Sequence, residues 1–564
     1  MKRVLALVLA VSMLATLVVG CGKDADTNKN GSAEKQLAVQ IGPDPETIDP
    51  ALNSAVDGGN MILHTFEGLL TVNEKGEIAE GQAEEWSASE DGLTWTFKLR
   101  DGLKWSDGTD LTAEDFVYSW RRVADPLTGA PYAETVLGMV KGYAELTAKV
   151  TEISDAAEAK GEPADFAVPE IEALVEALGV KAVDEKTLEV TLAAPCTFFD
   201  SLAAFATLSP VQKATIEANG DKWATSAETY VSNGAFNVTE WVPGSHIIVS
   251  KNENYWNKDA IKLDSIKFVL MEDANAAYSA YQNGTLLLAK DVPTEEIPSL
   301  KDNDEFVVET ICGTYYLSLN DAKAPFDNVN IRKALSLAID RDYVANDLMQ
   351  GTYVPAYNFM GPGWADPTGG DFMEKANGGK TYISEDYDAN LAEAKKLMEA
   401  EGYSADKRLT FTYSTNDAGY HKVVAQYLQD AWKEIYVDVK VEIVEWQSFT
   451  PMRRAGDYDA SRNGWVADYF DPSNMLDLLF STNGNNDGKF NDADYDAAMT
   501  TSRTTVDPEA RSKALHDAED ILMEKAACIP VAYYADFWLQ SPKLTGSWHT
   551  STGYWYFHYA DIAE

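Results

Sequence analysis

The chain has 564 residues, with 90 Asp and Glu against 46 Lys and Arg, for a formal charge of −44. It is 45% hydrophobic, 11% aromatic and 24% charged, which is enough to fill several cores and excludes a disordered or collagen-like chain. So negative a surface repels phosphate, which argues against nucleic-acid binding, and four cysteines cannot build a disulfide scaffold.

Met1-Lys2-Arg3 is a charged start to an apolar run, Val4 to Val19, broken only by Ser12 and Thr16. The run is short for a membrane-spanning helix and fits a signal peptide over residues 1–20. It ends in Val18-Val19-Gly20-Cys21, which resembles a bacterial lipobox. Small residues give a peptidase access to the Gly20–Cys21 bond, and the Cys21 thiol would carry the diacylglycerol that holds the mature chain at a membrane. Residues 21–36 are small and polar, as a tether should be.

From Leu37 onward no Pro/Gly/Ser linker divides the chain, so domains assembled from discontinuous segments are expected. Leu93, Trp95, Phe97 and Leu99 alternate with polar residues as in a half-buried strand. Thr112 stands at an N-cap position before a helix that would bury Phe116, Val117, Trp120 and Val123. Asn390 to Glu401 reads as a helix stopped by Gly402. A strand over 409–414, a helix over about 419–435 and a strand over 437–444, alternating Val437, Val439, Val441 and Ile443, form a βαβ unit. The fold class is α/β with mixed sheets.

Enzyme signatures are absent. Gly379-Lys380-Thr381 resembles the end of a phosphate loop, but Glu374 stands where its first glycine belongs. The six histidines include no i, i+4 pair, which argues against a catalytic zinc. Cys196, Cys312 and Cys528 lack paired spacing and read as buried thiols, with one disulfide among them left open. Asn483, Asn485, Asp487, Gly488 and Asp494 fall at the first, third, fifth, sixth and twelfth positions of a calcium-type loop. Asn replaces the first Asp and Asp the last Glu, so an ordinary surface loop is the better reading and calcium only a weak candidate; no metal is expected.

The stretch Trp86 to Pro126, WSASEDGLTWTFKLRDGLKWSDGTDLTAEDFVYSWRRVADP, resembles the signature of extracellular solute-binding proteins of the peptide/nickel class (family 5), which feed ABC importers. Three further segments match in order: Phe66-Glu67-Gly68-Leu69-Leu70; Asn233-Gly234-Ala235-Phe236 with Tyr255-Trp256; and Gly464-Trp465 through Asp468-Tyr469. Within the class the chain is most similar to oligopeptide-binding lipoproteins. The resemblance implies a type II periplasmic-binding-protein-like fold, with two main lobes, a hinge and an inserted domain. Domain I would comprise 37–66, 180–311 and 531–564, domain II 67–179 and domain III 312–530, with ligand held between I and III.

The resemblance also implies site residues. Asp468 would pair with a peptide α-ammonium, Arg462 and Arg453 would meet peptide carboxylates, and His421 would lie near the peptide's carboxyl end. Ser54, Ala55 and Val56 on one wall and Gly464, Trp465 and Val466 on the other would make backbone contacts, with Tyr132 and Trp465 lining a side-chain pocket. Ser54 replaces an acid of some relatives, and a lysine of others is missing near Leu348-Met349. The expected protein is a monomeric, lipid-anchored receptor on the outer face of the cell membrane. It would bind short peptides, deliver them to a transmembrane permease, and use no cofactor and no chemistry. The same fold could instead take dipeptides, nickel chelates or oligosaccharides, or sense a peptide pheromone.

Overall fold

The computed structural model describes residues 35–563 apart from 272, 377–380 and 417–419. The expected signal peptide, Cys21 and all but the last residues of the expected tether lie outside these, as do Gly379 and Lys380. Gln36, read as the end of the tether, instead opens the first strand.

Strand β1 (Gln36–Gln40) leads to α1 (Val56–Thr65). Strands β2 (Ala83–Ala88) and β3 (Thr94–Leu99) precede α2 (Ala113–Ala124), and β4 (Val180–Asp184) and β5 (Thr187–Thr191) follow it. These four strands form an antiparallel sheet in the order β2-β3-β5-β4. In β3 the alternate side chains Trp95, Phe97 and Leu99 are buried, as the pleat requires. Asp115 accepts the backbone N–H of Thr112 at 2.8 Å, which fixes the start of α2, and Phe116, Val117, Trp120 and Val123 are on its buried face. The sheet spans the expected boundary at residue 179, because β5 pairs with both β3 and β4.

A second, mixed sheet has eleven strands. It takes in β1, β6 (Phe236–Val242), β7 (His246–Lys251), β8 (Ser265–Val269), β9 (Leu288–Ala289), β10 (Phe306–Leu319) and β11 (Val354–Pro355). After α3 (Tyr387–Ala400) come β12 (Leu409–Asn416), α4 (His421–Lys433), β13 (Val437–Val444), α5 (Trp446–Ala455), β14 (Ala460–Val466) and β15 (Ile529–Gln540). The order is β13-β12-β14-β10-β15-β9-β1-β8-β7-β6, with β11 on β15. β12 and β13 run parallel from Leu409↔Val437 to Asn416↔Val444 with α4 between them, the expected βαβ unit. The alternation in β13 buries Val437 and Val439 and fades to Ile443, 51% exposed, because β13 is the sheet's edge.

Two large hydrophobic cores divide the molecule, with two small clusters around Ala277 and Leu300 beside them. One draws on residues from Leu37 to Leu288 and from Trp538 to Ala560, the other on residues from Cys312 to Ala532. The chain passes between them along β10 and β15, which pair antiparallel, with register shifts between Thr310 and Thr314 and again between Tyr315 and Tyr316. Such irregularities interrupt the ladder and let a strand pair bend. Cys196, Cys312 and Cys528 are buried and free. Among the described residues no helix is long and apolar enough to cross a membrane.

Candidate ligand-binding site

β14 pairs with β10 along its whole length, from Leu319↔Ala460 to Gly313↔Val466. With β12 it pairs only at Ala460 and Ser461. From Arg462 to Val466, therefore, its second edge has no strand neighbour among the described residues. Such an edge presents N–H and C=O groups that an extended chain can complete. Glycine is required at 464 because the Tyr534 hydroxyl, from β15, occupies the place a Cβ would take. Val466 is exposed, while Trp465 is half-buried and donates from Nε1 to Asn474 Oδ1 at 2.9 Å.

Just past the end of β14, the Asp468 carboxylate accepts a hydrogen bond from the Tyr132 hydroxyl at 3.2 Å, and its backbone N–H donates to Asn474 Oδ1 at 3.3 Å. Tyr132 belongs to the first lobe and Asp468 to the second. Burial pushes the Asp468 pKa up, and the hydrogen bonds from Tyr132 and Asn474 oppose this. No Lys, Arg or His is ion-paired with Asp468 among the described residues. This is a desolvated carboxylate without a cation, an arrangement that is costly until one arrives.

Arg462, six residues earlier, is the electrostatic opposite. Its guanidinium donates to the Tyr534 hydroxyl at 3.2 Å and lies 5.5 Å from the centroid of Tyr315. Its Nε is buried without a partner, and Arg462 makes no ion pair among the described residues. His421, at the start of α4, has its ring 5.5 Å from that of Tyr315, and its Nδ1 is also unpartnered. Burial, reinforced by the Arg462 charge, lowers its pKa to about 4, so the imidazole is neutral at physiological pH. Arg462 is thus the formal cation of this corner.

Arg453, on α5, is placed differently. It is buried, contacts the Asn463 side chain, and lies 3.5 Å from Asp487 Oδ2. Its charge already has a protein carboxylate beside it, which a ligand carboxylate would have to share. On the first lobe, Ser54 and Val56 are exposed before and at the start of α1. The Ala55 carbonyl is already engaged, accepting from Asn53 Nδ2 at 3.0 Å and from the Gly59 N–H at 3.0 Å.

A family model for the bacterial extracellular solute-binding proteins, family 5, matches residues 77–487. The chain belongs to that family. This family 5 protein is 35% identical over 570 residues to the oligopeptide-binding protein OppA of Bacillus subtilis, covering 98% of both chains. Its fold matches the unliganded open form of the murein tripeptide-binding protein MppA with a TM-score of 0.77 and 31% identity, covering 94% and 98% of the two chains. It matches Haemophilus influenzae OppA in complex with RPPGFSPFR with a TM-score of 0.71 and 31% identity, covering 94% and 100%. Members of the family are solute-binding proteins and not enzymes.

Two of the family 5 motifs seen in the sequence, Phe66–Leu70 and Asn233–Phe236 with Tyr255-Trp256, meet at a structural joint, while the segment through Asp468 lies at the end of β14. Glu67 Oε1 accepts from the Tyr255 hydroxyl at 2.5 Å, and Oε2 from Trp256 Nε1 at 2.7 Å and Gln82 Nε2 at 2.6 Å. Asn233 Nδ2 donates to the Glu67 carbonyl at 2.9 Å, and a Cβ on Gly234 would come within 2.5 Å of the Thr65 carbonyl carbon. In the calcium-like loop the would-be ligands are directed elsewhere. Asp487 turns to Arg453 and to Asn463 Nδ2 (3.1 Å), Asn483 Oδ1 accepts the Asn485 N–H, and Asp494 lies inside the helix Ala493–Thr504. Lys489 rather than Gly488 adopts the left-handed conformation, φ 58°. Sequence reading missed Tyr534, Tyr315 and Asn474, which orient the site from separate segments and carry no local motif.

Proposed function

We propose that the protein is a lipid-anchored extracellular receptor that captures short peptides between its two lobes and passes them to an ABC permease. Asp468 carries this reading. A carboxylate buried without a cation, and touched by a tyrosine of the opposite lobe, is suited to the α-ammonium that every free peptide presents at the same place. A neutral sugar would leave it uncompensated. The open edge from Arg462 to Val466 suits main-chain hydrogen bonds that ignore side-chain identity, and Arg462 suits a peptide carboxylate. Ser54, Ala55 and Val56 are proposed as the facing wall, with Tyr132 and Trp465 bounding a side-chain pocket. The names of the Bacillus relative and the Haemophilus complex agree with peptide as ligand. Attachment through Cys21 rests on the lipobox-like Val18-Val19-Gly20-Cys21. Native mass spectrometry of the purified protein, followed by sequencing of what it releases, tests the reading. Peptides of narrow length and mixed sequence are the expected result, while a sugar, a metal chelate or a bare chain that binds no added peptide overturns it.

A further inference from the structure

Beyond the Asp468 region, a cavity of about 810 Å³ opens between the lobes. Residues 75–95 and 196–201 line it from the first lobe, and 363–371, 470–471 and 506–511 from the second. Its lining includes six carboxylates and two basic side chains. One base, Arg511, is taken up by Asp471 in a bidentate pair at 2.8 and 2.7 Å. Asp371 accepts the Gly363 and Glu374 N–H groups, and Asp366 holds Thr368, Ser512 and His516. Asp200 is different. It accepts the Ser201 N–H at 2.9 Å and a hydrogen bond from the Trp86 side chain, but has no ion pair among the described residues. Burial, with Asp471 nearby, raises its pKa to about 6, so it is mainly charged at neutral pH and poorly compensated. Trp95, Trp364, Phe198 and Phe470 supply the apolar part of the wall, and Thr197 Oγ1, Trp95 Nε1 and Trp364 Nε1 are buried without partners.

We infer that this interlobe cavity is a second ligand site, for a small organic ammonium ion with an apolar body, its charge paired with Asp200 and its body among the tryptophans. Aromatic walls beside an uncompensated carboxylate favour such a cation twice, through ion pairing and through the negative ring faces. The neutral isostere gains only the apolar contact. Because both lobes build the walls, occupancy favours the closed arrangement, and the site is coupled to whatever else closes the lobes.

The test is calorimetric titration of the purified protein at 150 mM NaCl with 2-phenylethylamine, and with neutral 2-phenylethanol as control. The expected result is saturable binding of one amine, at least tenfold tighter than the alcohol, and weakened at least tenfold by Asp200→Asn. Ala88→Lys, which places a charge at an exposed rim position, should weaken the amine similarly while leaving the fold untouched, so the test survives if the Asp200 variant does not fold. Asp468→Asn separates the two sites. Amine binding that Asp468→Asn abolishes and both cavity variants leave intact belongs to the peptide-ammonium site and overturns the inference. So does equal affinity for amine and alcohol, or no saturable binding. The amine result stands or falls independently of whether peptides bind.

Discussion

At the scale of single residues, the proposed function makes Asp468 and Arg462 opposite halves of one recognition problem. Removing the Asp468 carboxylate from a desolvated pair should cost at least ~2 kcal/mol of peptide affinity, about thirtyfold. Asp468→Ala, titrated with one peptide in its free and N-acetylated forms, checks this. Wild type should prefer the free peptide, and the variant should bind both alike. Because burial holds the Asp468 pKa above the ordinary 3.8, acidification should weaken free-peptide binding at a pH where an exposed aspartate is still charged. Asp468→Asn should flatten that profile. Asp468, Arg462 and His421 are singled out through the family resemblance, and no periodicity or local motif in the chain marks them otherwise. The pairing of Arg453 with Asp487 was not legible, because the acid lies on a different segment and no local pattern reports such a partner.

At the scale of elements, one glycine and one histidine carry testable weight. Gly464 leaves room for the Tyr534 hydroxyl against β14, and that hydroxyl steadies Arg462. Gly464→Ala must push the tyrosine away, an overpacking cost of about 1–3 kcal/mol. Peptide affinity should fall together with melting temperature, and Tyr534→Phe should lower affinity while leaving stability nearly intact. The histidine is His549. Its Nδ1 lies 3.1 Å from Glu309 Oε2 and its Nε2 3.0 Å from Asp536 Oδ2, and these two acids are directly opposed on β10 and β15 where the chain crosses between cores. A neutral ring has one N–H and cannot donate to both, whereas an imidazolium can. Burial alone would lower its pKa, but the hydrogen bonds with Asp536 and Glu309 outweigh this and raise it. The stability it contributes is therefore complete below about pH 6.5, its ordinary value, and is lost as pH rises through the elevated one. Thermal melts from pH 6 to 9 should show the wild type's advantage over His549→Gln shrinking toward alkaline pH; a constant gap would count against a bridging imidazolium. Individual strands and helices were readable from periodicity and caps, as β3, α2 and the β12–α4–β13 unit show. The pairing of residues 180–191 with 83–99 was not, because strand partners so far apart in sequence leave no periodic trace.

At the scale of the whole molecule, two cores share one continuous sheet, and only β10 and β15 carry the chain between them. Their register shifts fall at the crossing, so the ladder is weakest where the lobes must turn. Each lobe has its own core, and contacts between them include Tyr132 with Asp468, the Phe198–Tyr469 stack at 5.6 Å and Arg511 over Phe198 at 4.8 Å. The lobes should then be only loosely coupled in unfolding. Calorimetry of the peptide-free protein should give either two transitions or one whose calorimetric enthalpy exceeds its van't Hoff enthalpy. A peptide that touches both lobes adds its binding energy to both at once, about 2.7 kcal/mol at a hundredfold excess over Kd. It should merge the transitions and raise their midpoint together. Asp468→Ala should bring the separation back at a peptide concentration that suffices for wild type. If a saturating peptide stabilised only one transition, the ligand would be held by one lobe, and capture between the two would have to be abandoned.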